Sequence, residues 1–358
     1  MKRNSGISSV SSVTSPSANE NGLPFDVVLA YRDLSIHFST DDGVLKAANH
    51  VNLDLKYSQK LGLIGESGCG KTVTAQAVLR ITPRNGWIEA GKILYRKKDG
   101  FEIDLAKLDP RGDEIRKIRG GEIGIIFQEP MTSLSAVHTI GNQIIEGVLL
   151  HITNNKKEAY EIALGMLSRV GIANPKQRMN EFPHQLSGGM RQRALIALSL
   201  ACKPNVLIAD EPTTALDVTM QAQILELIHE LQQEYEMSII YITHDLGVIA
   251  EVCDNVAVMY LGRVVELGGI KQIFGNPLHP YTRALMRSIP IIGKCVNELE
   301  VIKGNVPRPI NLPEQCGFCG RCPEQFDLCD QAIPMLSEIE PGHFVECFLY
   351  PQDSTSDK

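Results

Sequence analysis

Gly65-Glu66-Ser67-Gly68-Cys69-Gly70-Lys71-Thr72 decides the fold, because Gly65-x-x-x-x-Gly70-Lys71-Thr72 is a complete phosphate-binding loop. It follows the apolar run Leu61-Gly62-Leu63-Ile64, which reads as a buried strand, and precedes a predicted helix from Thr72 to Ile81. A strand feeding a glycine-rich turn and then a helix makes backbone amides converge on phosphate oxygens. Glycines let the chain approach the anion without Cβ clashes. Lys71 offers a mobile point charge to the outer phosphates, and the Thr72 hydroxyl can hold Mg²⁺. The expected nucleotide contacts of this stretch are Gly65, Ser67, Gly68, Cys69, Gly70, Lys71, Thr72 and Thr74.

On the N-terminal side, Val27–Tyr31 and Leu34–Phe38 read as strands, followed by a polar turn at Thr40–Gly43. Val51-Asn52-Leu53-Asp54-Leu55 alternates as a half-exposed antiparallel strand does. On the C-terminal side, Ile123–Phe127, Val206–Ala209 and Ser238–Ile242 read as strands of an α/β core. The last two are continuously apolar, as strands buried on both faces of a parallel sheet must be. Ile224, Ile228, Leu231 and Tyr235 share one helical face between them. Residues from about Met131 to Glu181 read as purely helical and interrupt the alternation, so an inserted helical subdomain is expected at about 131–185. From Asn276 onward, prolines at 277, 280, 290, 307, 309, 313, 323, 334 and 341 exclude long helices. The expected fold is therefore an α/β P-loop NTPase core with an antiparallel β subdomain, a helical insert and a small irregular cysteine-rich extension. The expected boundaries are 1–23 for a disordered Ser- and Asn-rich tail, 24–275 for the ATPase domain and 276–358 for the extension.

At 358 residues the chain can bury a full core, and its 43% apolar content is ordinary for a globular protein. A formal charge of −7 argues against a nucleic-acid binder that relies on a general basic surface. No stretch approaches the ~18 consecutive apolar residues of a membrane span. No apolar run follows Lys2 and Arg3, so a signal peptide is not expected and the cytosol is the expected compartment. Nine cysteines suit that compartment only as free thiols or metal ligands. Cys69, Cys202, Cys253 and Cys295 read as small buried hydrophobes, whereas Cys316, Cys319, Cys322, Cys329 and Cys347 crowd one segment. Such a cluster in a reducing compartment points to metal, and a metal clip would help a segment with little core to fold.

A phosphate loop needs a metal-holding carboxylate at the end of a neighbouring strand. Asp210 stands there, directly after Val206–Ala209. Glu211 follows, where a base can polarise a water aimed at the γ-phosphorus. Leu186-Ser187-Gly188-Gly189-Met190 lies about twenty residues upstream. Ser187 can cap a helix, while Gly188 and Gly189 expose its free amides, making a second anion site. One nucleotide does not need two glycine-rich phosphate sites from one subunit. A head-to-tail pair of subunits does, each giving one motif to the other's nucleotide.

In this order the motifs resemble those of the nucleotide-binding subunits of ABC transporters, from about Val27 to the end of the chain. Gly65–Thr72 looks like the Walker A loop, Gln128 like the Q-loop glutamine and Leu186–Met190 like the signature sequence. Val206–Glu211 resembles Walker B, with Asp210 on the metal side and Glu211 as the catalytic glutamate. Ala215-Leu216-Asp217 resembles the D-loop, His244 the switch histidine and Phe38 the aromatic that stacks on adenine. The resemblance is closest to the ATP-binding subunits of dipeptide and oligopeptide importers. It is carried by Gly65-Glu66-Ser67-Gly68, by Phe127-Gln128-Glu129-Pro130-Met131-Thr132-Ser133-Leu134 and by Asn276-Pro277-Leu278-His279-Pro280-Tyr281-Thr282-Arg283-Ala284-Leu285 ahead of a cysteine-bearing tail. Two departures stand out: Cys69 sits where serine is usual, and Cys319 is an additional cysteine.

This resemblance implies an ATPase at the cytoplasmic face of the inner membrane, held there peripherally. Its implied partners are a second ATPase subunit, expected to be a paralogue, two transmembrane permeases and indirectly an extracytoplasmic solute-binding protein. No nucleic acid is implied. ATP and Mg²⁺ are the implied cofactors, with Ser187, Gly188, Gly189 and Asp217 acting in trans. It also implies a 4Fe–4S cluster on Cys316, Cys322, Cys329 and Cys347, with Cys319 a bystander. Spacing by itself leaves that open: Cys316-x-x-Cys319-x-x-Cys322 resembles the start of a ferredoxin run, and Zn²⁺ or free thiols are alternatives. Peptides lead as the solute, with nickel chelates, glutathione or other small solutes as alternatives. A soluble ABC ATPase acting on DNA or ribosomes ranks behind, since the chain has one ATPase unit and no heptad-rich insertion. A regulatory protein using ATP as a switch is a further alternative. Cys69 is expected to be a reactive thiol in the nucleotide site.

Overall fold

The computed structural model describes residues 22–129, 133–214, 216–288, 302 and 304–352. The expected tail up to residue 21, Met131, Ala215 of the D-loop and Cys295 lie outside the described residues. Strands β1 (Val27–Thr40) and β2 (Gly43–Lys56) form a hairpin closed at Thr40 and Gly43, where Thr40 Oγ1 donates to Gly43 O at 2.7 Å. The two strands expected over 27–38 are one strand. It bends where Asp33 takes φ 52° and the register with β2 shifts. After β3 (Lys60–Ile64) and α1 (Lys71–Ala77), β4 (Gly86–Arg96) and β5 (Glu102–Asp104) complete an antiparallel sheet of order β2-β1-β4-β5.

Helix α2 (Asp113–Ile118) leads to β6 (Ile123–Ile126). The stretch read as helical holds α3 (Ile140–His151), α4 (Lys156–Arg169) and α5 (Pro175–Arg178). Then follow α6 (Gly188–Leu200), β7 (Val206–Asp210), α7 (Val218–Tyr235) and β8 (Ser238–Ile242). Next come α8 (Leu246–Val252), β9 (Asn255–Tyr260), β10 (Arg263–Gly269), α9 (Ile270–Gly275) and α10 (Pro280–Arg287). A final hairpin, β11 (Leu336–Glu340) and β12 (His343–Glu346), closes the described chain.

The second sheet has the order β11-β12-β10-β9-β3-β8-β7-β6, and its members from β9 to β6 run parallel. Every residue of β7 and β8 is buried, as their unbroken apolar runs require. Their side chains alternate between two cores. Leu207, Ala209, Ile239 and Tyr241 join the helical insert, while Val206, Ile208, Ile240 and Ile242 join the antiparallel sheet, α1 and α2. Because β3, β8 and β7 are neighbours and parallel, their carboxyl ends emerge side by side.

The region after Asn276 is not irregular throughout. Strand β12 pairs with β10, so the last hairpin continues the main sheet. Pro341-Gly342, a strong turn dipeptide, makes its corner. Glu266 of β10 fixes the arrangement from a fully buried position. One carboxylate oxygen accepts from Leu278 N–H at 2.8 Å and lies 2.8 Å from His343 Nε2; the other accepts from His279 N–H at 2.9 Å. Burial pushes the His279 imidazole down to about 4, so it stays neutral and its Nδ1 accepts from Tyr281 N–H at 3.0 Å. Removing a donor from a buried carboxylate leaves charge without compensation. His343→Ala is therefore expected to cost about 3 kcal/mol. A urea titration reads this as a lower midpoint, and limited proteolysis as earlier cleavage near the last hairpin.

Candidate active site

The three parallel strand ends carry the expected chemistry. The loop after β3 turns back on itself, and Lys71 Nζ donates to Gly65 O at 2.7 Å and to Glu66 O at 3.1 Å. Two of its glycines are sterically required. Gly65 has φ 147° and a Cβ there would lie 2.2 Å from Met259 O; Gly70 has φ 101° and a Cβ would lie 2.2 Å from Ala47 O. The loop thus presses directly on the backbones of β9 and β2.

One cavity opens in front of this loop. Phe38, Ser67, Gly68, Cys69, Gly70, Lys71, Thr72, Gln128, Glu211 and His244 all line it. Thr72 Oγ1 donates to Asp210 Oδ1 at 3.1 Å, and Asp210 shares an adjoining cavity with Thr72 and Gln128. Gly65 supports the loop from behind. Thr74 lies outside the cavity: it is fully buried in α1, and its hydroxyl has no hydrogen-bond partner among the described residues. A helix turns about 100° per residue, so a side chain two residues beyond Thr72 points almost the opposite way. Thr74 is thereby corrected to a core position.

Glu211 is the hub of the polar network. Gln128 Nε2 donates to its Oε2 at 2.9 Å, and Thr214 Oγ1 donates to the same oxygen at 2.7 Å. His244 Nδ1 lies 3.1 Å from Oε1. Burial alone would raise this carboxyl, but the hydrogen bonds from Thr214, His244 and Gln128 outweigh it and hold it below its ordinary value. Asp210 goes the other way: burial, with the charge of Glu211 adding, pushes it up to about 6 despite the bond from Thr72. Glu211 also takes φ 49°, a left-handed conformation uncommon outside glycine and common at reacting sites.

The second glycine-rich segment lies elsewhere on the same chain. Ser187 caps α6, accepting from Met190 N–H at 3.3 Å, and Ser187 and Gly188 are exposed. Gly189 packs near Met220 of α7, whose cap Asp217 accepts from Met220 N–H at 3.0 Å. Ser187, Gly188, Gly189 and Asp217 therefore share a surface. None of them lines the loop's cavity.

Cys69 does not have the surroundings of a reactive thiol. It is fully buried, and burial raises its thiol against the smaller opposing effect of Lys71, whose Nζ lies 3.5 Å from its Sγ. In the tail, Cys316, Cys319, Cys322, Cys329 and Cys347 line one small cavity. Burial, with neighbouring cysteines adding, pushes Cys316 up to about 12 and Cys347 up to about 11, and raises Cys322. Among the described residues, no group of three His, Cys, Asp or Glu side chains is placed to hold a metal ion. The cysteines are gathered around one cavity without forming such a group.

Comparison with known proteins places these parts in one lineage. Residues 48–214 match the ABC transporter family, and residues 265–329 match the oligopeptide/dipeptide transporter C-terminal region. A probable peptide ABC transporter ATP-binding protein of Sinorhizobium fredii, y4tR, is 47% identical, over 90% of this chain and 95% of its own. This chain belongs to the ATP-binding subunits of oligopeptide/dipeptide-type ABC transporters. The dipeptide transport ATP-binding protein DppD of Bacillus subtilis is 45% identical over 91% of this chain and 95% of its own. The oligopeptide transport ATP-binding protein OppD of Salmonella typhimurium is 42% identical over 93% and 97%. Among solved structures, a dimer of MJ0796, a bacterial ABC transporter cassette, superposes with TM-score 0.59 at 25% identity, covering 68% of this chain and 98% of that one. As a member of this family the chain is an ATPase coupled to transport. No helix among the described residues is long and apolar enough to cross a membrane.

Sequence reading missed Thr214, Tyr281 and Arg321, all of which touch the site. Thr214 was within reach, since it lies just past the Glu211-Pro212 turn. Tyr281 stands in a string singled out for the resemblance but not for this site, and both it and Arg321 come from far along the chain. The crowding behind the loop gives a direct test. Gly70→Ala is expected to weaken ATP binding by about tenfold or more, because a Cβ clash with Ala47 O must move the loop. Equilibrium binding of a fluorescent ATP analogue checks this, with circular dichroism expected to match the parent.

Proposed function

We propose that this chain powers the import of peptides by closing head-to-tail on a second ATPase subunit, an expected paralogue, around two ATP molecules. The observation that carries this reading is the separation, within one chain, of the loop's cavity from the Ser187-Gly188-Gly189 segment, whose first two residues are exposed. A nucleotide on Lys71 and Thr72 leaves its γ-phosphate open to a second subunit, and the free amides at the start of α6 suit it. ATP then binds the closed pair in preference to the open one, and that difference in affinity does the work. Glu211 orients water for attack, with His244 and Gln128 keeping its carboxylate aimed. Asp210 and Thr72 would hold Mg²⁺, which when bound would neutralise phosphate charge. Two permeases take up the closing motion through the helical insert, and an extracytoplasmic binding protein delivers the solute. Peptides are the solutes after which relatives such as DppD and OppD are named, with nickel chelates or another small solute of the same transporter class as the alternative.

Cys316, Cys322, Cys329 and Cys347 would hold a 4Fe–4S cluster, whose positive charge would keep the four sulfurs as thiolates and clip the tail. Their shared cavity supports this choice. Iron, sulfide and zinc analysis of the purified chain decides between this cluster and Zn²⁺. Cys347→Ser is expected to lower iron and sulfide and to make the tail protease-sensitive, and unchanged iron would remove Cys347 from the set.

The function is tested on the assembled transporter. Glu211→Gln is expected to keep ATP binding, to slow hydrolysis by a factor of about 100 or more and to accumulate an ATP-bound pair on size-exclusion chromatography. Near-normal turnover would take Glu211 out of its assigned role. Uptake of labelled peptide, but not of labelled nickel, by vesicles bearing the whole assembly would fix the solute class.

A further inference from the structure

The phosphate loop is held from behind by the C-terminal region, and Glu66 is the residue held. Three side chains converge on it. Its backbone N–H donates to the hydroxyl of Tyr281 in α10 at 2.8 Å. Its carbonyl accepts from Lys71 Nζ at 3.1 Å. Its carboxylate takes a two-pronged ion pair from Arg321, at 2.8 Å and 3.1 Å, across 255 residues of sequence. Two of these three ties come from beyond Asn276.

Those ties are stiff. Only 7% of the Arg321 side chain is exposed, and its guanidinium lies 5.8 Å from the Tyr260 ring and 6.0 Å from the Phe318 ring. It also donates to the Tyr260 hydroxyl at 3.3 Å. Tyr260, Tyr281 and Phe318 form a three-ring cluster with centroids 4.7, 5.3 and 5.4 Å apart. A planar guanidinium seated on rings and pairing in two-pronged fashion holds its partner in one orientation, which a lone ammonium does not. Phe318 and Arg321 both stand within the Cys316–Cys322 segment, so that segment bears on the loop through this cluster.

Loop chemistry makes that support necessary. Lys71 now rests on the carbonyls of Gly65 and Glu66. When it moves to a phosphate, Gly65 O loses that donor and Glu66 O is left with the longer 3.3 Å bond from Cys69 N–H, so the Glu66 peptide is weakly held unless something else fixes it. We propose that Arg321 and Tyr281 are positioning residues for ATP: they clamp the Glu66 peptide so that the loop keeps its anion-binding shape after Lys71 leaves. The C-terminal region is by this account part of the nucleotide site.

The test is a double-mutant cycle on the full-length chain, read by equilibrium binding of MANT-ATP with Mg²⁺ well below the melting temperature. Arg321→Ala and Glu66→Gln are each expected to weaken binding about tenfold, the effect of losing one well-placed charged pair. The double variant is expected to be no weaker than either single one, because both break the same tie. Arg321→Lys should recover part of the loss, which a purely structural defect would not show. Tyr281→Phe keeps the ring cluster, removes only the hydroxyl and should weaken binding about threefold; it serves if Arg321→Ala does not fold. Lys71→Ala, run alongside, checks that the loop is the ATP site at all. Parent-like affinity in Arg321→Ala or Tyr281→Phe, or losses that multiply in the double variant, would overturn the proposal.

Discussion

Parallel pairing of β3, β8 and β7 is the constraint on which the site depends. Three strands that run the same way deliver the Gly65–Thr72 loop, His244 and Asp210-Glu211 to one edge of one sheet. Such strands must be covered on both faces, and here two cores meet that need, one with the helical insert and one with the antiparallel sheet. Fixing the strands fixes the distances: the 3.1 Å bond from Thr72 to Asp210 spans 138 residues of sequence yet only one intervening strand, β8. Ligand sites outside the carboxyl ends of parallel strands follow from the same geometry.

Adjacent carboxylates at that edge are driven apart by their surroundings. Burial beside a negative neighbour raises the Asp210 carboxyl, while hydrogen bonds lower that of Glu211. Two like charges at consecutive positions would otherwise repel with little solvent to screen them. The division matches two tasks: Asp210 faces Thr72, where the pair would hold a cation, and Glu211 faces the cavity with His244 and Gln128. The backbone at Glu211 is left-handed, and Glu211 N–H donating to Ile242 O at 2.8 Å holds that turn in place.

Much of this was legible in the residues. Unbroken apolar runs marked β7 and β8, the glycine spacing marked the loop, and Ser187 marked the cap of α6. What escaped has physical causes. Periodicity could not separate Thr72 from Thr74 until the helix start was known. Prolines after 276 suggested irregular chain and hid β11 and β12, although Pro341-Gly342 between two alternating runs was a hairpin signal. The expected reactivity of Cys69 followed from its place in the loop, but burial is a tertiary property and it decides thiol chemistry. Tyr281 and Arg321 meet Glu66 only because the tail folds back across the sheet edge.

That folding back changes what the tail has to do. A segment that only clipped itself together would need no contact with the ATP loop. Instead, β12 extends the sheet at β10, Glu266 ties β10 to the 278–279 turn, and α10 leaves that turn carrying Tyr281 towards Glu66. Each tie depends on the one before it. The buried Glu266 carboxylate is a costly group to place in a core, and its three partners all serve to hold the turn from which α10 starts. A polar network of that kind fixes one arrangement more strictly than apolar packing would, since a shifted turn leaves a buried charge unmatched. The precision needed at a phosphate loop is thus supplied partly from the sheet's opposite flank, by residues that never meet the nucleotide.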